Sequence, residues 1–204
     1  IKSIKKLSLV IKNNLVVFTN LAGDISAVNI DNGNIIWQTP TQSSAIYAEA
    51  FKLKISDVVL DSDSIYFSNN KNEFYSLDLE SGLINWKQKI SSNVRPVIIE
   101  KLIFTISQDG MLYVVEKNSG NIIRVTDVFS DISPKQRKKI KPIGFIVGKT
   151  NIYLTSDKGK LFLIDIKNGK TKKILNVDNG KISRPLFSND SLYIAKDDSI
   201  IKLN

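Results

Sequence analysis

The sequence predicts an all-β fold, a β-propeller of four-stranded antiparallel blades, with four blades present and part of a fifth. Three observations predict it. A fifteen-residue pattern recurs four times without a gap, as GDISAVNIDNGNIIW (23–37), NEFYSLDLESGLINW (72–86), GMLYVVEKNSGNIIR (110–124) and GKLFLIDIKNGKTKK (159–173). A short run rich in Ile, Val, Leu, Tyr and Phe precedes each copy. Apolar spacing of three to four residues over a helix length occurs nowhere, which excludes helical solenoids. Four short strands repeating every forty to fifty residues are the signature of a propeller.

Within each copy, an apolar-rich strand ends in Asn29, Asp78, Glu116 or Asp165, and a glycine follows four residues later: Gly33, Gly82, Gly120 or Gly169. The polar side chain can accept hydrogen bonds from backbone N–H groups of the turn. The glycine supplies the positive φ that a short hairpin loop needs. Each copy therefore reads as a β-hairpin, the third and fourth strands of a unit.

The second strands are LVVFTN (15–20), SIYFSN (64–69), LIFTIS (102–107), NIYLTS (151–156) and SLYIAK (191–196), linked to the hairpins by short polar turns. Their composition suits strands. A first strand precedes them, as in RPVII (95–99) and RPLF (184–187). The units span approximately 4–38, 54–88, 94–125, 141–175 and 183–204, all within one partial propeller domain covering 1–204. The fifth stops after DSIIKLN (198–204), before its glycine. The glycines are separated by 49, 38 and 49 residues, and the extra residues fall between units, at 39–53 and 126–140. In a propeller these two long connections emerge on one face and make a candidate binding surface. They could equally serve only to cap the blade ends.

Composition narrows the function. The 204 residues are 42% hydrophobic, enough for a sizeable core. No apolar run approaches the roughly 18 residues that span a membrane. The basic start IKSIKK leads into no long apolar stretch, so no signal peptide is read there. Cysteine and histidine are both absent. Thiolate chemistry, zinc–sulfur sites, disulfides and the commonest general base are thereby excluded within this segment. The net charge of +9 permits an anionic partner, but Lys, Asn and Ile are abundant throughout, which also fits a general compositional bias.

The hairpin pattern resembles the pyrroloquinoline-quinone (PQQ)-like quinoprotein repeat, A-x-D-x-x-x-G-x-x-x-W. It stands here as Ala27, Asn29, Gly33, Trp37 and as Ser76, Asp78, Gly82, Trp86. In this repeat type the tryptophan packs between neighbouring blades. Arg124 and Lys173 hold that position in the third and fourth copies, which predicts looser contacts there or aliphatic stems along the same surface. Most of the chain, including the order of long and short connections and the ending RPLFSNDSLYIAKDDSIIKLN, is similar to the carboxy-terminal half of the outer-membrane assembly lipoprotein family BamB. That resemblance implies a fragment of an eight-bladed propeller acting as a non-catalytic scaffold. It further implies a periplasmic, outer-membrane-associated location, a lipid anchor outside this chain, and the periplasmic domains of BamA as partner. The family's contact segments fall near Ile4 and Lys5 and near Glu49 with FKLKISD (51–57). Two copies associating to complete a ring is a further expectation.

The sharpest charge feature is PKQRKKIK (134–141) in the second long connection. Lys135, Arg137, Lys138, Lys139 and Lys141 could meet an acidic partner, or they could form a solvated loop. No aromatics interleave with them, which counts against nucleic acid. The alternative reading is a fragment of a PQQ-dependent quinoprotein dehydrogenase, or another PQQ-like propeller of unrelated binding function. Its carboxylates, however, fall almost entirely in repeat turns, where turn hydrogen bonding accounts for them. The expectation is no enzyme activity, no cofactor, no metal and no nucleic-acid partner.

Overall fold

The computed structural model describes residues 8–20, 24–41, 54–69 and 71–203. The chain divides into two compact units, one of residues 1–98 with 117–120 and one of residues 99–116 with 121–204.

The first unit holds two four-stranded antiparallel sheets. One runs β1 (Leu9–Lys12), β2 (Leu15–Thr19), β3 (Ile25–Asn29), β4 (Ile35–Thr39), and the other β5 (Val59–Asp61), β6 (Ser64–Asn69), β7 (Glu73–Asp78), β8 (Ile84–Gln88). In each, sequence neighbours are sheet neighbours, as short connections dictate. The middle strands β6 and β7 are buried on both faces, so their apolar residues stand side by side, as Ile65–Phe67 and as Phe74 with Tyr75, rather than alternating. A core of Val17, Ile25, Ala27 and Trp37 from one sheet packs with Ile65, Phe67, Tyr75 and Leu77 from the other. Each large side chain so buried contributes roughly 1.5–3 kcal/mol. The fourth strands β4 and β8 bury one residue each, Trp37 and Trp86, and leave Ile35, Ile36 and Ile84 exposed.

The second unit holds three sheets. The first is β9 (Val97–Ile99), β10 (Leu102–Ile106), β11 (Met111–Glu116), β12 (Ile122–Asp127). The next is β13 (Pro142–Val147), β14 (Asn151–Ser156), β15 (Lys160–Asp165), β16 (Thr171–Asn176). The last, β17 (Leu186–Ser188), β18 (Ser191–Lys196), β19 (Ser199–Leu203), has three strands. Leu161 from the second of these sheets packs with Ile182, Leu192 and Ile194.

The third-to-fourth-strand hairpins share one geometry. Gly33, Gly82, Gly120 and Gly169 have φ of 72°, 70°, 74° and 73°. The N–H of Gly33, Gly82 and Gly169 closes the loop onto the carbonyl of the residue four before it, at 2.8–3.0 Å. A one-residue register shift recurs at the same place in all four, after Ala27, Ser76, Val114 and Leu163. Such a bulge sharpens local twist and re-aims the following side chains. Directly across from Trp37 and Trp86 stand the small residues Ala27 and Ser76. Across from Arg124 and Lys173 stand Val114 and Leu163. A small residue thus faces each indole, and a larger apolar residue faces Arg124 and Lys173 where the indole is lost.

Candidate interaction surface

The connection between β12 and β13 is a built element rather than a bare loop. Val128 and Phe129 turn inward and are buried, and Ile140 is buried at the far end. The Phe129 ring lies 5.1 Å from that of Phe162, and it covers Gly110 so closely that a Cβ there would stand 2.2 Å from the ring. Between these anchors Pro134–Arg137 form the short helix α1, with proline at its start, where a missing N–H costs least. The Lys141 N–H donates to the Asp157 carboxylate at 2.7 Å, and the Asp157 N–H donates to the Lys141 carbonyl at 2.9 Å.

The five basic residues of this segment separate into two kinds. Arg137 is half-buried and turned inward. Its guanidinium pairs with the Asp127 carboxylate and donates to the Asp109 carbonyl at 3.0 Å. The sequence reading grouped Arg137 with the exposed cations, whereas its donors are engaged within the same unit. Lys135, Lys138, Lys139 and Lys141 are exposed. They make the outward side of the segment, the lysine ridge, positively charged, while the arginine and the apolar anchors hold the segment itself. Asp127, Asp109 and Phe129 therefore hold this segment in place. No sequence signal marked them, because Asp109 lies 28 residues from Arg137 along the chain. Ile4, Lys5 and Glu49, the other contact candidates, lie outside the described residues, as does most of the first long connection.

The repeat carboxylates and amides are occupied in their turns. Asn29 Oδ1 accepts from the N–H of Asp31 and Asn32 at 2.9 and 3.2 Å. Asp78 Oδ1 accepts from the Ser81 hydroxyl and N–H at 2.7 and 2.8 Å, and these bonds hold its carboxyl below the usual range. Asp165 Oδ1 accepts from the N–H of Lys167 and Asn168 at 2.7 and 3.1 Å. The Lys172 ammonium beside Asp165, with those N–H groups, lowers its pKa to about 2. All four loops share one backbone closure: the N–H of Asn29, Asp78, Glu116 and Asp165 donates to the carbonyl of the residue five later, each at 2.8 Å.

The tryptophans join each hairpin to the next. Trp37 Nε1 donates to the carbonyl of Leu79, and Trp86 Nε1 to that of Lys117, both at 2.9 Å. Each acceptor is the first loop residue after the repeat acid. Arg124 stands in the third such position and makes the equivalent bond: its guanidinium donates to the Ile166 carbonyl at 2.9 Å and also to the Lys167 carbonyl. The looser contact expected from losing the indole is therefore partly made good by hydrogen bonds.

The profile of the family described as outer membrane protein assembly factor BamB matches residues 2–126. The chain belongs to this BamB family. A curated relative, the outer membrane protein assembly factor BamB of Yersinia pestis, is 28% identical over 182 residues, covering 84% of this chain and 42% of the relative. The chain thus spans less than half the length of that relative. Among solved structures, BamB from Moraxella catarrhalis superposes with a TM-score of 0.60 at 15% identity, over 95% of this chain and 70% of that one. The β-propeller domain of Myceliophteria thermophila Cps50 (Swd1) superposes with a TM-score of 0.71 at 10% identity, over 99% of this chain and 65% of that one. The fold is that of a PQQ-like repeat β-propeller, with four full blades and a three-stranded fifth.

Proposed function

We propose that this chain is part of a non-catalytic periplasmic scaffold, associated with the outer membrane through a lipid anchor elsewhere in the protein, that supports barrel-protein assembly by binding the periplasmic domains of BamA. Family membership over residues 2–126 carries this reading. The geometry supports it in a second way. The acids and amides of the repeat are committed to turn N–H groups. What the second unit presents outward at the long connection is a fixed cationic ridge, suited to an acidic protein face.

The test is a titration of the chain against the periplasmic domains of the matching BamA, alongside a variant with Lys135, Lys138 and Lys139 changed to serine. Arg137 stays in place because it supports the segment. Weaker binding by the variant, with a steeper loss in added salt for the unchanged chain, supports the reading. Equal binding by both assigns the contact elsewhere on the propeller. No binding by either, with both folded, removes BamA as the partner of this segment.

A further inference from the structure

Replacing an indole by a guanidinium keeps the hydrogen bond and loses the ring. In the second sheet the Trp86 ring packs 6.0 Å from Tyr66 and 5.5 Å edge-on from Phe74, and it covers Gly120 so closely that a Cβ there would stand 2.6 Å away. Phe104 occupies the register of Tyr66, since Tyr66 pairs with Ser76 and Phe104 with Val114. No ring covers the corresponding glycine: the nearest atoms to a Cβ at Gly169 belong to Thr126. A groove of about 550 Å³ opens beside Arg124, walled by Leu102, Phe104, Val114, Ile123, Arg124 and Ile166. Ile123 stands 58% exposed beside it.

The charges around this groove are unequal. Arg124 and Lys167 lie on the side of the β15–β16 turn, and Glu100 lies at the β9–β10 turn. The guanidinium is spent on two carbonyls rather than on a carboxylate, so its charge is not neutralised by an ion pair among the described residues. Its Nε is enclosed and finds no acceptor among them. A swing of the guanidinium toward an incoming carboxylate exchanges its two carbonyl bonds for an ion pair and gives up no bond at Nε. An apolar wall shaped by the loss of an indole accepts a flat ring, and the cations beside it accept acids.

We infer that the groove beside Arg124 is a docking site for a partner-protein segment carrying an aromatic side chain flanked by carboxylates. The ring takes the place that Trp37 and Trp86 fill in the first unit, and the acids meet Arg124 and Lys167. This site is separate from the lysine ridge and does not depend on BamA being the partner.

The probe is an end-blocked peptide with one tryptophan beside two glutamates, titrated into the isotope-labelled chain and followed by amide NMR shifts. Saturable shifts centred on Val114, Ile123, Arg124 and Ile166 are expected. Arg124→Trp restores the repeat residue and fills the groove, so it should weaken binding by roughly tenfold or more. Ile123→Glu, at an exposed position that leaves folding intact, should weaken it as well through repulsion of the acids. The variant with Lys135, Lys138 and Lys139 changed to serine should bind the peptide unchanged. The inference is overturned by an absence of saturable shifts, by shifts centred on the lysine ridge, or by undiminished binding to Ile123→Glu. Equal binding of a peptide with alanine for tryptophan, or glutamine for the glutamates, overturns it too.

Discussion

Trp37 Nε1 donates to the Leu79 carbonyl across 42 residues of sequence, and the same ring packs against Gly82. One side chain thus joins two hairpins of the first unit by a hydrogen bond and by ring burial together. The two contributions can be separated. Trp37→Phe keeps most of the ring and leaves the Leu79 carbonyl without its donor, which should cost about 1–3 kcal/mol. Trp37→Ala removes the ring as well and should cost about 3–5 kcal/mol. Urea unfolding of the two variants checks the order. Equal losses would mean that the indole N–H carries the whole effect.

Gly82 and Gly33 provide an internal control for packing against backbone strain. Their φ values are almost equal, at 70° and 72°. A Cβ at Gly33 would meet no described residue within 4 Å, whereas one at Gly82 would stand 2.4 Å from the Trp37 ring. Gly33→Ala should therefore cost only the strain of the left-handed conformation, about 1–2 kcal/mol. Gly82→Ala adds overpacking of about 1–3 kcal/mol on top of that. Thermal melts of both variants measure the difference, and identical losses would show that the ring moves aside freely.

The Asp165 turn should confer acid-dependent stability of a definite sign. Its carboxyl titrates at about 2 in the fold, held down first by Lys172 and then by the N–H groups of Asn168 and Lys167. In the unfolded chain an aspartate titrates near 3.9. The stabilisation is present above the unfolded value and is lost as pH falls from about 4 through about 2. Asp165→Asn keeps a turn acceptor, as Asn29 does naturally, but gives up the charge. The difference in stability between the unchanged chain and this variant should shrink over that pH window. Unfolding midpoints from pH 5 downward would show it, and a difference independent of pH would rule out the carboxylate as its source.

The hairpins were legible in the sequence because their chemistry is local: acid, loop and glycine lie within five residues, and all four copies close in one way. The second strands were legible from their apolar composition. What the sequence hid depends on long separations. Arg124 looked like a lost tryptophan, and only its bonds to the carbonyls of Ile166 and Lys167 reveal it as a substitute with an open groove beside it. Arg137 looked like one more exposed cation in a run of them. Its carboxylate partner Asp127 sits ten residues earlier on a strand, and nothing in the charge pattern distinguishes it from its neighbours.

That division of the basic segment yields the last prediction. Arg137 ties α1 to Asp127 and to the Asp109 carbonyl, whereas Lys135, Lys138 and Lys139 project outward. The three lysines changed together to serine should alter stability by no more than about 0.5 kcal/mol per site, as exposed substitutions do. Arg137→Ser leaves the Asp127 carboxylate half-buried without its cation and frees the helix from the sheet. It should lower the unfolding midpoint and speed amide exchange at Gln136 to Ile140, while leaving the outward charge of the lysines in place. The two variants thus separate support from contact: loss of partner binding without loss of stability belongs to the lysines, and loss of both belongs to the arginine. A destabilised lysine variant, or an Arg137→Ser chain with unchanged exchange at 136–140, would show that the segment is held by Phe129 and Ile140 alone.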